Sequence, residues 1–152
     1  MRTPILTMQR QFCTFSIDAL YFGVEIARVQ EVVPYQPMTR VPLAPPMVRG
    51  LINLRGQIIT AIDLRCRLGM GASTSSRRPR NVIVRDDEGA MSLMVDEIGD
   101  VLDVEESAFE SPPETLRGPA RELIEGAYKL TDRLLLVLNL EKAIGIPGDA
   151  RP

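Results

Sequence analysis

Short apolar runs rich in Val, Ile, Leu and Phe recur along the chain with turn signals between them. That is the pattern of an all-β domain rather than of long amphipathic helices. The runs predict strands near residues 11–17, 20–25, 47–54, 58–64, 81–85, 91–95, 101–105, 124–130 and 134–139. Helix is predicted to be minor: residues 26–32, a turn after Asp63, the neighbourhood of 119–123, and 141–144 ahead of the stop signal Gly145. Loops are marked at 42–46, at 69–79, at the Asp86-Asp87-Glu88-Gly89 turn and at Ser111-Pro112-Pro113, with 70–80 expected to be the mobile stretch.

Sliding the chain along itself by 76 positions brings out a repeat. Gly50, Leu54, Ile58, Ile59, Ala61, Ile62, Asp63, Leu64 and Gly69 fall on Gly126, Leu130, Leu134, Leu135, Val137, Leu138, Asn139, Leu140 and Gly145 without a gap. At an offset of 69, Phe22, Val24, Ile26, Val29, Glu31 and Val32 fall on Met91, Leu93, Val95, Ile98, Asp100 and Val101. Two matches in the same order predict two similar β units related by a pseudo-twofold axis. Neither unit could bury much alone, so the two are expected to share a core.

The length of 152 residues and a 45% hydrophobic content suit one compact domain, or two very small ones sharing a core. The longest unbroken apolar run, 134–138, is far short of the roughly 20 residues of a membrane span, and residues 1–10 lack a secretory pattern. The expected compartment is the cytoplasm. Cys13 and Cys66, distant in sequence and in apolar settings, read as buried, reduced thiols rather than as a redox or metal pair.

The absence of histidine narrows the chemistry further than any other count. It removes Ser-His-Asp and Cys-His catalysis, His-bearing zinc sites and the side chain best suited to proton transfer near neutral pH. With two lysines and three tyrosines remaining, the chain is expected not to be an enzyme. A phosphate loop at 68–75 lacks the lysine and the following helix, and the carboxylates Asp96, Glu97, Asp100, Asp103, Glu105 and Glu106 lack calcium-loop spacing, reading instead as a solvated acidic face. No metal and no cofactor is expected.

The net charge of −2 hides an asymmetry: residues 1–85 carry +8 and residues 86–152 carry −10. This admits an RNA-binding β-barrel using the basic first half as an alternative function. No aromatic interleaves with Arg77, Arg78, Arg80 and Arg85, so base stacking has little to work with.

The most informative stretch runs Arg49-Gly50-Leu51-Ile52-Asn53-Leu54-Arg55-Gly56 and on through an alternating strand to Asp63-Leu64-Arg65. It reads as a hairpin in which Gly56 allows the positive backbone angles of a tight turn. An arginine beside such a turn is placed to meet a carboxylate, and Glu31 in Val29-Gln30-Glu31-Val32 is the natural partner by type.

This segment resembles the signature of the CheW family of chemotaxis coupling proteins, and the resemblance covers nearly the whole chain. It takes in the element from Ile26 to Val32, the element from Val95-Asp96 to Val101-Leu102, Pro112-Pro113 and the terminal Leu-rich strand, departing at Thr60, where the family often has proline. The resemblance implies two SH3-like five-stranded β-barrels related by a pseudo-twofold axis, with short helices. It further implies a CheW-like domain over 9–147 with an approximate division near 70–85, flanked by flexible tails at 1–8 and 148–152. The implied role is a non-catalytic adaptor coupling the cytoplasmic tip of chemoreceptors to the regulatory domain of a CheA-type histidine kinase. It would be recruited to receptor arrays without membrane insertion or nucleic-acid binding. Carried over by motif position, Glu31 and Arg55 would form a salt bridge. Val29, Glu31, Gly50, Asn53, Arg55, Gly56 and Val101 would line or border the receptor groove, and no residue is assigned to the kinase.

Overall fold

A computed structural model describes residues 8–71 and 77–145. The expected tails therefore lie outside the described residues apart from Met8, as do 72–76 of the stretch expected to be mobile and 72–75 of the phosphate-loop reading. At the two ends of that stretch, Met70 packs against the main core and Arg80 opens a strand.

Among the described residues the chain forms ten strands: β1 (Gln9–Ile17), β2 (Leu20–Glu25), β3 (Val29–Val33), β4 (Val48–Leu54), β5 (Gln57–Asp63), β6 (Arg80–Asp86), β7 (Gly89–Val95), β8 (Glu97–Glu105), β9 (Ile124–Lys129) and β10 (Leu134–Leu138). Three short helices accompany them: α1 (Leu64–Arg67), α2 (Pro119–Leu123) and α3 (Leu140–Ile144). The protein is all-β, two five-stranded SH3-like units with orders β8-β1-β2-β10-β9 and β3-β6-β7-β5-β4. Replacing each of β1 to β5 by its counterpart among β6 to β10, and the reverse, turns one order into the other. That is the pseudo-twofold repeat.

Each sheet takes two strands from one half of the chain and three from the other, through parallel pairings of β2 with β10 and of β7 with β5. The basic and acidic halves are consequently interleaved: acidic β8 lies in register beside β1, and the change of charge along the chain is no boundary in space.

One core is shared between the sheets. Phe15, Phe22 and Val24 of one sheet cluster with Ile62, Val82, Val84, Met91 and Leu93 of the other, while each sheet has one smaller cluster of its own on its other side. Strand β10 shows why the runs are so continuously apolar: Leu136 and Leu138 enter the shared core, Leu135 and Val137 the smaller cluster. A strand covered on both faces loses its polar alternation.

The repeat reaches individual side chains. Asp63 caps α1 by accepting from the Cys66 amide at 3.2 Å, and Asn139 caps α3 by accepting from the Lys142 amide at 3.1 Å. Where the first sheet packs buried Phe12 beside Gly23, whose added Cβ would lie 3.2 Å from Phe12, the second has Asn81 and Ser92, with Ser92 Oγ donating to Asn81 Oδ1 at 2.8 Å.

Two expectations are corrected. Residues 26–32 form a single 3-10 turn, Ile26–Arg28, followed by β3, because the β-branched run Val29, Val32 and Val33 pairs with β6 instead of continuing a helix. Cys66 is exposed rather than buried: α1 turns Leu64 and Leu68, four apart, into the core, and Cys66 falls on the opposite face. Both thiols are free, and burial pushes that of Cys13 up.

Candidate functional site

Strands β4 and β5 pair with Leu54 opposite Gln57, leaving Arg55 and Gly56 as a two-residue turn. Their φ angles of +52° and +85° are those of a type I′ hairpin, whose twist matches that of the strands. Asn53 Oδ1 closes the turn by accepting from the Gly56 amide at 2.9 Å. Glycine suits such a position; arginine at +52° does not, since its Cβ crowds the backbone. Local structure thus gives no reason for Arg55, and its side chain supplies one.

From the turn, Arg55 Nη2 donates to Glu31 Oε2, an ion pair joining the β4–β5 hairpin to the edge strand β3 of the same sheet. The pair is lopsided: the Arg55 side chain is 66% exposed and that of Glu31 25%. Arg55 and then the Gln30 amide hold the Glu31 carboxyl below its ordinary range. The result is a fixed carboxylate covered by a guanidinium that still presents donors to a visitor.

Of the other expected site residues, Asn53 and Gly56 belong to this turn and are exposed. Gly50 is buried further along β4, where the Thr39 backbone bridges to Leu51; a Cβ at Gly50 would come within 2.7 Å of the Thr39 carbonyl oxygen. Its role is therefore to let the chain cross. Val29 packs on the rim of the shared core. Val101 lies half-exposed on β8 of the other sheet, paired in register with Cys13.

A second constellation escaped the sequence reading. Arg65 on α1, with a side chain only 10% exposed, donates from Nη1 and Nη2 to both carboxylate oxygens of Asp18 at 2.9 and 2.6 Å. It also donates to Asp96 Oδ2 at 2.7 Å and to the Gly71 carbonyl at 3.0 Å. The Asp18 amide donates to the same Asp96 oxygen at 2.8 Å. Asp18 turns between β1 and β2, Asp96 between β7 and β8, and Arg65 follows β5, so the cluster ties the two sheets together. This corrects the reading of Asp96 as part of a solvated face, since its side chain is 25% exposed and ion-paired.

These contacts set an acid limit on the fold. Arg65 lowers the Asp18 carboxyl, Arg55 that of Glu31, and Arg28 that of Glu141. A depressed carboxyl binds protons more weakly folded than unfolded, so its contribution is complete above the ordinary carboxylate range and is lost as pH falls through the folded value. Burial raises Glu125, which acts in the opposite sense and is least unfavourable in acid. With no histidine, thermal unfolding midpoints should be flat between about pH 6 and 8 and fall below about pH 4. A midpoint rising on acidification through that range would contradict the assignment of these three pairs.

Comparison with known proteins bears on the same segments. The family model described as a CheW-like domain matches residues 11–146. A chemotaxis protein CheW of Bacillus subtilis is 32% identical over 125 residues, covering 82% of this chain and 80% of that protein. One from Klebsiella aerogenes is 27% identical over 138 residues, covering 91% and 83%. The crystal structure of the scaffolding protein TtCheW from Thermoanaerobacter tengcongensis superimposes with a TM-score of 0.83 at 30% identity, over 95% of this chain and all of that one.

Proposed function

This chain belongs to the CheW-like domain family, and from that membership we propose that it is a non-catalytic chemotaxis scaffold coupling receptors to a CheA-type histidine kinase. Its receptor-facing surface is the Arg55 turn with Glu31, Asn53 and Gly56, bordered by Val29, Gly50 and Val101. The partner is the helical tip of a chemoreceptor, laid against this surface. The second partner is the regulatory domain of the kinase, and the protein works at the cytoplasmic face of receptor arrays. No helix among the described residues is long and apolar enough to cross a membrane.

The observation that carries the site is Arg55 itself: an exposed arginine in a left-handed turn position, ion-paired across to β3. Strain of this kind persists where the side chain is needed for something other than folding.

A bridge has a dose signature that an enzyme lacks. Kinase autophosphorylation under receptor control, in reconstituted receptor membranes, should rise and then fall as this protein is titrated past its partners. At excess, separate molecules occupy the two partners and the linkage is lost. A plateau without decline, or full control with the protein omitted, would count against bridging. Retention on RNA that falls steeply with salt would favour the basic-barrel alternative instead.

A further inference from the structure

In the basic cluster that opens β6, Arg77 donates to Glu97 at 2.8 Å and Arg85 to Gln30 at 2.6 Å. Arg78 and Arg80 are left over: both are exposed, and neither side chain makes a hydrogen bond or ion pair among the described residues. Pro79 between them holds Arg78 in extended backbone, and Arg80 begins the strand. The two side chains therefore leave the chain on one side, with Cα atoms about 7 Å apart. Both line a cleft of about 600 Å³, whereas Pro79 lines the neighbouring hollow.

The cleft is braced from within the fold. Arg78 lies over the ring of Tyr35, its guanidinium carbon 5.1 Å from the ring centroid. A guanidinium held over a ring is restrained yet keeps its N–H donors free. The stretch bearing Tyr35 is pinned in turn, because the Pro34 carbonyl accepts from Asn81 Nδ2 at 3.3 Å and from Gln36 Nε2 at 3.1 Å. Asn81 is fully buried beside Ser92, at the place where the other sheet packs Phe12 beside Gly23. The polar pair that departs from the repeat thus holds the wall of this cleft.

Charge selects what the cleft takes. Its two acids are committed, Asp96 to Arg65 at 2.7 Å and Glu97 to Arg77, so Arg78 and Arg80 supply two uncompensated positive charges. The remaining lining, Pro34, Tyr35 and Ile98, is largely apolar. Two adjacent guanidinium groups suit a compact dianion, and phosphoryl oxygens match their forked donors. A cleft of this volume accommodates a small organic molecule. An extended nucleic acid fits poorly, because β8 runs on from the cleft through exposed Asp100, Asp103 and Glu105, which repel a departing strand.

We propose that this cleft, where the end of β3 meets the starts of β6 and β8, binds a small phosphorylated ligand of nucleotide size. Arg78 and Arg80 hold its phosphoryl group, and Pro34, Tyr35 and Ile98 support its organic part. None of these residues belongs to the receptor-facing surface described above.

The test is calorimetric titration of the intact chain with inorganic pyrophosphate and with ADP at fixed ionic strength. Each should bind at one site per chain more tightly than about 1 mM, ADP at least as tightly as pyrophosphate. Arg78→Ala and Arg80→Ala should each weaken ADP binding at least about fivefold. Tyr35→Leu should weaken it about threefold while Tyr35→Phe binds as the native chain does, since the ring braces Arg78 and donates nothing. Arg40→Ala, at an exposed arginine outside the cleft, should leave binding unchanged. The arginine variants should melt at the native temperature, which separates lost contact from lost fold. Absence of saturable binding of both probes overturns the proposal. So does a loss in Arg40→Ala equal to that in Arg78→Ala, the mark of diffuse charge attraction. A single-stranded oligonucleotide bound more tightly than ADP through the same two arginines would assign them to nucleic acid and overturn it as well.

Discussion

Replacing Arg65 by alanine is expected to lower the stability of the fold by about 2–4 kcal/mol, between the cost of breaking a buried ion pair and that of an exposed one. The guanidinium is nearly enclosed and makes four hydrogen bonds, two to Asp18, one to Asp96 and one to the Gly71 carbonyl. Its removal leaves two carboxylates side by side at the junction of the sheets, with the Asp18 amide still directed at Asp96. Asp18 is moreover held at φ +50°, a geometry these contacts maintain. For a domain of this size the loss corresponds to a fall of roughly 5–15 °C in the unfolding midpoint. Arg65→Lys should recover only part of it, because an ammonium cannot bridge both oxygens of Asp18 and reach Asp96 in one plane. Circular dichroism melts of the two variants decide the matter. A midpoint within about 2 °C of the native value for Arg65→Ala would show that the cluster does not tie the sheets.

This cluster also marks where the sequence stops being legible. Local pattern was enough for β2 and β10, because continuous apolar runs bounded by turn residues have few other uses, and for the correspondence of Asp63 with Asn139, which fall together at one offset although their capping role did not show. It failed at β3. Five residues preceded by a 3-10 turn carry as much helical as strand pattern, and only pairing with β6, some fifty residues away in sequence, decides between them. It failed again at Asp96, which looks like one carboxylate in an acidic run until α1 brings Arg65 against it from thirty-one residues away. The Arg55 turn was readable because its parts are contiguous, and Glu31 could be matched to Arg55 by charge type. The exposure of Arg55 and the strain in its backbone had no signature in the sequence.

That strain makes the second large effect separable from folding. Arg55→Glu sets two carboxylates against each other across β3 and the hairpin, and Glu31→Arg does the same with two guanidinium groups. Each reversal also inverts the charge that the surface presents to its partner, so each should weaken binding to a receptor-tip fragment about tenfold or more. The double reversal restores the pair and should recover part of the affinity, though with the charges exchanged toward the partner. Neither single change should unfold the protein, since the Arg55 side chain is 66% exposed and an exposed pair adds little to stability. Arg55→Asn sharpens the distinction. Asparagine tolerates the left-handed turn that arginine occupies under strain, so this variant should be more stable than the native chain by roughly 1 kcal/mol, while binding the receptor tip more weakly. Gain of stability with loss of binding is the expected mark of a residue kept for recognition. If Arg55→Asn and both reversals bound the receptor tip with native affinity, the Arg55 turn would not be the receptor surface. If Arg55→Asn instead lost stability and binding together, Arg55 would be a structural residue of the hairpin.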